Sequence, residues 1–316
     1  MNAAPRTVPA WRWPAEAIWE AVSPLLPGFT VEVLPRTDST NTELMRRARA
    51  GRCEPTLLVA ERQTAGRGRL GRSWHSAGTG AAVQEGEGHP APGLPSLTFS
   101  LGMPLAPANW SGLSLAVGVS VAESLQPTMP APGSRTPRVG LKWPNDLWLE
   151  GADAGSGSVT YRKLGGILVE TASMVGLPAG SGPAAGAALR YVVVGVGLNM
   201  EQPVLDAAMP LSVPPGHLQE LGDAALDAPA ALLRVAAPLV AMLQAFEGYG
   251  FGPMQPRFDR RDVLQGRSVV LSDGTTGVAH GVGADGALLV MTAAGMQAVT
   301  SSEVSVRPVG AAPAAH

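Results

Sequence analysis

The run Tyr191-Val192-Val193-Val194-Gly195-Val196-Gly197-Leu198 constrains the fold of this chain more than any other stretch. A strand exposed on one face alternates apolar with polar residues, and this run does not. It predicts a strand covered on both faces, at the centre of a sheet. Shorter strands are expected around it at 30–34, 56–60, 97–101, 139–143, 147–149 and 164–170. Helical spacing marks 15–21, 111–126 and 230–246, although Pro238 should kink or interrupt the last. A further helix should start within Thr37-Asp38-Ser39-Thr40-Asn41-Thr42-Glu43. There Thr40 and Glu43 are spaced as a capping box, and Gly51 would close the helix.

The last part of the chain changes character. Short strands at 266–271, 276–282, 287–291 and 297–301 alternate with the turns Asp273-Gly274 and Asp285-Gly286. They predict a small β-barrel with a boundary near Leu264. The expected division is an N-terminal segment 1–34, a main domain 35–263, the barrel 264–309 and a frayed tail 310–316. Stretches rich in Gly, Ala, Pro and Ser at 77–95, 151–159 and 176–188 read as inserted surface loops.

At 45% hydrophobic the chain can build a core, and its net charge of −2 gives no footprint for bulk nucleic-acid binding. The single cysteine, Cys53, supports neither a disulfide framework nor a metal cluster and reads as an ordinary thiol. No signal peptide and no uninterrupted apolar run of membrane-spanning length is visible, so the cytoplasm is the expected compartment. Only two of the 23 basic residues are lysines, Lys142 and Lys163. So arginine-biased a chain keeps lysine where a compact point charge serves and a planar fork does not.

Both lysines fall in segments suited to chemistry. The segment Gly66-Arg67-Gly68-Arg69-Leu70-Gly71-Arg72-Ser73-Trp74 holds three arginines and three glycines. Glycines permit positive φ and close backbone approach, and consecutive N–H groups form an anion nest. Arginines add bidentate donors for carboxylate and phosphate, and Trp74 can stack on or cover a base. Such a loop can close as a lid. Its spacing also matches a dinucleotide fingerprint, but no apolar helix follows, so that reading fails on context. Lys142-Trp143-Pro144-Asn145-Asp146 reads as a strand end and a turn. Lys142 suits a phosphate there, and Asp146 suits orienting or deprotonating an amine. Lys163 precedes Gly165-Gly166, where a ligand or backbone can lie close, or a β-bulge can form. Gly195-Val196-Gly197-Leu198-Asn199 ends the central strand.

In this order, Ser39-Thr40-Asn41, Gln63, GRGRLGRSW, KWPND, RKLGGILVE and GVGLN resemble the biotin–protein ligase family. The resemblance covers roughly 37–199 and, more loosely, the C-terminal barrel. It implies an α+β fold: a mixed β-sheet with helices packed on one side, like class II synthetases, then a small SH3-like β-barrel. It implies an ATP-dependent ligase that makes biotinyl-5'-AMP, with Mg²⁺ accompanying ATP. The biotin would then pass to a lysine of a biotin carboxyl carrier protein. Ser39, Thr40, Asn41 and Gln63 would hold biotin with Gly66, Arg67, Gly68, Arg69, Lys163, Gly165 and Gly166. Arg67, Arg69, Arg72, Trp74, Lys142, Asn145 and Asn199 would line the nucleotide region. Arg67, Lys163 and Asp146 are the expected catalytic residues, with Asp146 positioning the acceptor lysine.

No resident metal, DNA partner or membrane is expected, and exposed strands are compatible with a homodimer. Many members of the family carry an N-terminal helix-turn-helix and act as repressors. The proline-rich residues before Thr37 leave no room for one, so a repressor is not expected. Lipoate ligases and octanoyltransferases share the fold, but the arginine-rich loop fits biotin ligases better. A non-catalytic binding module would need a broken motif, and every charged position is filled.

Overall fold

The computed structural model describes residues 11–74, 94–131, 133–153, 155, 157–174, 188–203 and 213–300, and the backbone of 306–308. Most of the stretches 77–95 and 176–188, and the tail 310–316, lie outside the described residues. In chain order the first elements are α1 (Ala15–Val22), β1 (Thr30–Leu34), α2 (Thr40–Arg49), β2 (Thr56–Ala60), β3 (Gly66–Arg67) and β4 (Ser73–Trp74). Then come β5 (Ser96–Leu105), α3 (Leu113–Leu125), β6 (Arg138–Lys142), β7 (Asp146–Ala152), β8 (Val159–Ser173) and β9 (Arg190–Asn199). The chain continues through α4 (Ala228–Tyr249) and α5 (Gln255–Asp259). It ends in β10 (Ser268–Leu271), β11 (Thr276–Val282), β12 (Leu288–Thr292), β13 (Gly295–Val299) and β14 (Val306–Pro308).

A seven-stranded mixed sheet runs β1-β2-β5-β9-β8-β7-β6. β1 and β2 are parallel and the other neighbours antiparallel. The valine-rich run is β9, in the middle of the order, as its lack of alternation predicts. Successive side chains of a strand point to opposite faces. Leu97, Phe99, Leu101, Met103 and Leu105 of β5, and Val192, Val194, Val196 and Leu198 of β9, share one core with α1, α3 and α4. Leu58, Tyr191 and Val193 join Leu44, Met45 and Ala48 of α2 in a second, smaller core. The mixed sheet with helices agrees with expectation, but the helices do not all lie on one side. α2 packs on the opposite face, where Leu44, Met45 and Ala48 meet Leu58, Tyr191 and Val193.

Local structure departs from expectation in instructive places. The cap of α2 is Ser39, whose Oγ accepts from Thr42 N at 3.4 Å. Glu43 therefore sits beyond capping reach and pairs with Arg47 at 2.8 Å instead, so there is no Thr40–Glu43 capping box. α4 passes through Pro238 without a break. One backbone hydrogen bond is forgone there, and burial of Val235, Leu239, Val240, Leu243 and Phe246 outweighs it. This helix is long and apolar enough to cross a membrane by length and composition, yet it packs against α1, α3 and β5. The stretch 151–159 is not simply an inserted loop: Gly151 and Ala152 end β7, Val159 begins β8, and Asp153 N donates to Ser158 O between them.

The C-terminal strands form a five-stranded antiparallel sheet, β13-β12-β11-β10-β14. Gly274 (φ +88°) and Gly286 (φ +78°) occupy its tight turns, as the Asp-Gly pairs predict. Trp143 is fully buried, and its Nε1 donates to Gly286 O at 3.1 Å. That bond joins this sheet to the turn that carries Lys142 and Asp146.

Candidate functional site

A cleft opens on the α2 face, beyond the small core. Its floor comes from alternate positions of two central strands, Gly195 and Gly197 of β9 and Gly166 and Leu168 of β8. The absent side chains make the space. A Cβ on Gly195 would collide with the Asn41 amide, and one on Gly197 with the Trp74 indole. Gly165 does different work. It backs onto the Gly197 carbonyl of the next strand and does not line the cleft.

The wall at β8 depends on one extra residue. Leu147 pairs with Gly165 but Trp148 pairs with Lys163, leaving Leu164 as a bulge. Such an insertion switches which face each position serves. Beyond it Gly166 and Leu168 face the cleft while Ile167 packs with the large core. Before it Lys163 faces the cleft while Leu164 is in the large core. Without the bulge Lys163 would point to the other side.

The arginine-rich segment is a hairpin, not an irregular loop. β3 pairs with β4, Gly66 opposite Trp74 and Arg67 opposite Ser73. Its tip is a tight turn over Arg69–Gly71, closed by Arg72 N donating to Arg69 O at 3.1 Å. The positive φ values fall on Leu70 (φ 55°) and Gly71 (φ +72°), not on Gly66 or Gly68. Gly66 is needed for closeness: a Cβ there would meet the Trp74 carbonyl. Trp74 lies across Gly197 and within reach of Gly166, with its indole N–H buried and unpartnered.

Around this space the cap of α2 is held by a polar lattice. Gln63 Oε1 accepts from Thr40 N at 2.8 Å and lies 3.2 Å from Thr40 Oγ1. Ser100 Oγ lies 2.7 Å from Thr40 Oγ1 and 2.6 Å from Asn41 Oδ1. Asn145 donates to Ile167 O at 2.7 Å, and its Oδ1 is 3.5 Å from Arg69 Nη1.

Charge is concentrated at Asp146. Its Oδ1 is 2.7 Å from Lys163 Nζ and its Oδ2 is 4.0 Å from Lys142 Nζ. Burial opposes the Asp146 charge, but the two ammonium groups and the Lys163 hydrogen bond outweigh it and hold its pKa below the usual value. Burial pulls the Lys142 ammonium down to about 8, with Asp146 opposing and Lys163, Arg72 and Arg69 adding repulsion. Burial likewise lowers Arg69, against the pull of Asp146. Lys142 also sits 5.6 Å over the Trp148 ring.

Of the expected residues, Ser39, Thr40, Asn41, Gln63, Arg67, Gly68, Arg69, Arg72, Trp74, Lys142, Asn145, Asp146, Lys163 and Gly166 line this one cleft. Gly66, Gly165 and Asn199 do not. Asn199 donates to Lys163 O at 3.2 Å and to Gly216 O at 2.9 Å, so it holds backbone behind the wall. Sequence reasoning missed Leu168 and the floor role of Gly195 and Gly197; Phe99, Ile167 and Val196 also border the cleft, although their side chains pack in the large core behind it. The signal was available: two glycines spaced i, i+2 in a central strand clear one face only. Among the described residues no group of three or more His, Cys, Asp or Glu could hold a metal ion.

The model of the Biotin/lipoate A/B protein ligase family matches residues 33–84. A biotin–[acetyl-CoA-carboxylase] ligase of Paracoccus denitrificans is 30% identical over 277 residues, covering 86% of this chain and 98% of the relative. A bifunctional ligase/repressor of Escherichia coli (strain K12) is 32% identical over 290 residues, covering 89% of this chain and 75% of the relative. The structure of a biotin protein ligase from Aquifex aeolicus in complex with biotin and ATP aligns with a TM-score of 0.63 at 26% identity. It covers 88% of this chain and 98% of that one.

Proposed function

The chain belongs to the biotin–protein ligase family, and from that premise we infer that it activates biotin to biotinyl-5'-AMP and transfers the biotinyl group to a lysine of a biotin carboxyl carrier protein. One observation carries this reading: among the described residues, five cationic side chains and a single carboxylate converge on one cleft. The cations are Arg67, Arg69, Arg72, Lys142 and Lys163, and the carboxylate is Asp146. A carboxylate and a triphosphate repel each other, and a surplus of fixed positive charge between them lowers that barrier.

In the first step a biotin carboxylate oxygen attacks the α-phosphorus of ATP, and the bond to pyrophosphate breaks. Arg67, Arg69 and Lys163 stabilise the charge that develops there, with Arg72 and Lys142 towards the nucleotide. Mg²⁺ enters as MgATP, held by the phosphates. The one carboxylate among the described lining residues, Asp146, is already committed to Lys163. The small lattice of Thr40, Asn41, Gln63 and Ser100 lies where the cap of α2 borders the cleft, and it offers polar partners to the biotin ring system. The hairpin covers the mixed anhydride and keeps water from it. In the second step the acceptor lysine, having released its ammonium proton to solvent, attacks the acyl carbon as a free amine; the amide forms, the bond from the acyl carbon to the phosphate oxygen breaks, the second amine proton passes to solvent and AMP leaves. Asp146 is held ionised by its lysine partners, and its Oδ2, farther from an ammonium than Oδ1, orients the amine by accepting one of its N–H groups.

The same reading assigns the catalytic domain to 35–263, the small barrel to 264–309 and the working compartment to the cytoplasm. Intact-mass measurement of a carrier domain incubated with the protein, biotin and MgATP tests it. One biotinyl group should be added to the carrier, and none to a carrier whose acceptor lysine is arginine. A carrier that stays unmodified, or is modified with lipoate instead, contradicts the reading.

A further inference from the structure

Glu170 is on β8, two residues beyond Leu168, and does not line the cleft. Its carboxylate is nevertheless divided between two residues that do. Oε1 pairs with Arg67 Nη2 at 3.2 Å, and Oε2 accepts from Asn41 Nδ2 at 3.1 Å. Arg67 stands at the base of the lid hairpin; Asn41 is in the first turn of α2. One carboxylate thus joins the hairpin, the central sheet and the helix that borders the cleft.

The partners are unequally constrained. Asn41 is fixed at both ends of its amide: Nδ2 also donates to Leu168 O at 3.2 Å, and Oδ1 lies 2.6 Å from Ser100 Oγ. Arg67 is about half exposed, and apart from Glu170 it has a 3.5 Å contact to Thr42 Oγ1. The Arg67 pair is therefore the adjustable half of the bridge and the Asn41 bond the anchored half.

We propose that Glu170 is a positioning residue that sets the lid hairpin at a fixed offset from the floor of the cleft. The proposal rests on the reading of this cleft as the biotin and ATP site. With the carboxylate in place, Arg67 is held over the cleft in the ligand-free protein, and Trp74 rests on Gly197. Without it the hairpin loses its charged tether and opens more often. Ligands then meet a site that must first be reassembled, so their apparent affinity falls. Once ligand is bound and the hairpin closed, the reacting groups are unchanged, so the chemical step keeps its rate.

The test is the isosteric variant Glu170→Gln in the full chain, which removes the charge and keeps an acceptor for Asn41. Two measurements read it: the rate of trypsin cleavage after Arg67, Arg69 and Arg72 without ligand, and KM and kcat for biotin in pyrophosphate exchange. Cleavage should be faster and the biotin KM higher, each by roughly 5-fold, the size of a part-exposed ion pair. The kcat should stay within about 2-fold, and thermal unfolding should match the parent protein. Unchanged cleavage or unchanged KM in a folded variant overturns the proposal. So does a loss shared by kcat and melting temperature, which marks a general structural role. If the parent protein shows no biotin-dependent exchange, the reading of the cleft fails, while the cleavage rates still decide whether Glu170 tethers the hairpin.

Discussion

The two faces of the seven-stranded sheet use the same strands for opposite purposes. On the helix face, β5 and β9 present Phe99, Leu101, Val194, Val196 and Leu198, all buried. Each such side chain contributes about 1.5–3 kcal/mol by leaving water. On the other face the same strands present Ser100, Gly102, Gly195 and Gly197, which bury far less apolar surface. That second face is graded along its length. Near Tyr191 and Val193 it is apolar and α2 covers it; towards Asn199 it becomes glycine and polar, and the cleft opens. One face supplies the stability that lets the other give up side chains. A binding floor inside a sheet therefore depends on a thick core directly behind it.

This contrast can be broken at several points. The largest effect is expected from Arg67→Ala on the cleft face. Biotin-dependent exchange should fall by roughly 10²–10³-fold, as when a preorganised donor to a developing anion is lost, with chemical unfolding unchanged. On the helix face Leu239→Ala should do the reverse. Denaturant titration should show a loss of about 2–5 kcal/mol, while kcat/KM of the folded fraction is retained. A Leu239 variant with intact stability, or an Arg67 variant that unfolds, would erase the division between the faces.

Gly197→Ala probes the floor with a single methyl. The added Cβ meets the Trp74 indole, so the hairpin must shift. The KM for ATP should rise by roughly 10-fold, on the order of one displaced stacking contact, while stability changes little. The pH profile supplies the smallest test. Lys142 titrates at about 8 in the folded protein against an ordinary 10.5. Its positive charge, and with it kcat/KM for ATP, should decline as pH rises through about 8. Lys142→Arg should move that limb to higher pH. The stability change has the opposite sign: between about 8 and 10.5 the unfolded chain binds more protons at this group, so stability rises with pH there. Parallel profiles of activity and unfolding would show them diverging.

Much of the helix face was legible in the sequence because burial leaves a periodic record. The run 191–198 marked the central strand, and the apolar spacing of 111–126 marked α3. The cleft residues were legible for another reason: Arg67, Arg69, Lys142, Asp146 and Lys163 are costly choices in a near-neutral chain unless something binds them. What escaped the sequence was register. The glycines at 165 and 166 allowed a β-bulge in this segment, but nothing in Arg162-Lys163-Leu164-Gly165 states that Leu164 is the bulged residue, and its place decides which side Lys163 faces. Asn199 lies behind the wall for a related reason: a residue at a strand end can serve either a ligand or a neighbouring carbonyl, and only the fold chooses. Glu170 was invisible because its partners are 103 and 129 positions away. The side of the sheet taken by α2 was missed because a short stripe of Leu44, Met45 and Ala48 fits either face.

We propose that the cleft on the α2 face joins a biotin carboxylate to the adenylyl group of ATP. Biotin-dependent exchange of labelled pyrophosphate into ATP tests it most directly, since exchange requires reversible adenylation and no carrier. Exchange is expected with biotin and MgATP and not with lipoate, and it should fall by roughly 10²–10³-fold in the Arg67→Ala variant. Absence of exchange from the folded parent protein, or exchange that survives Arg67→Ala undiminished, would contradict it.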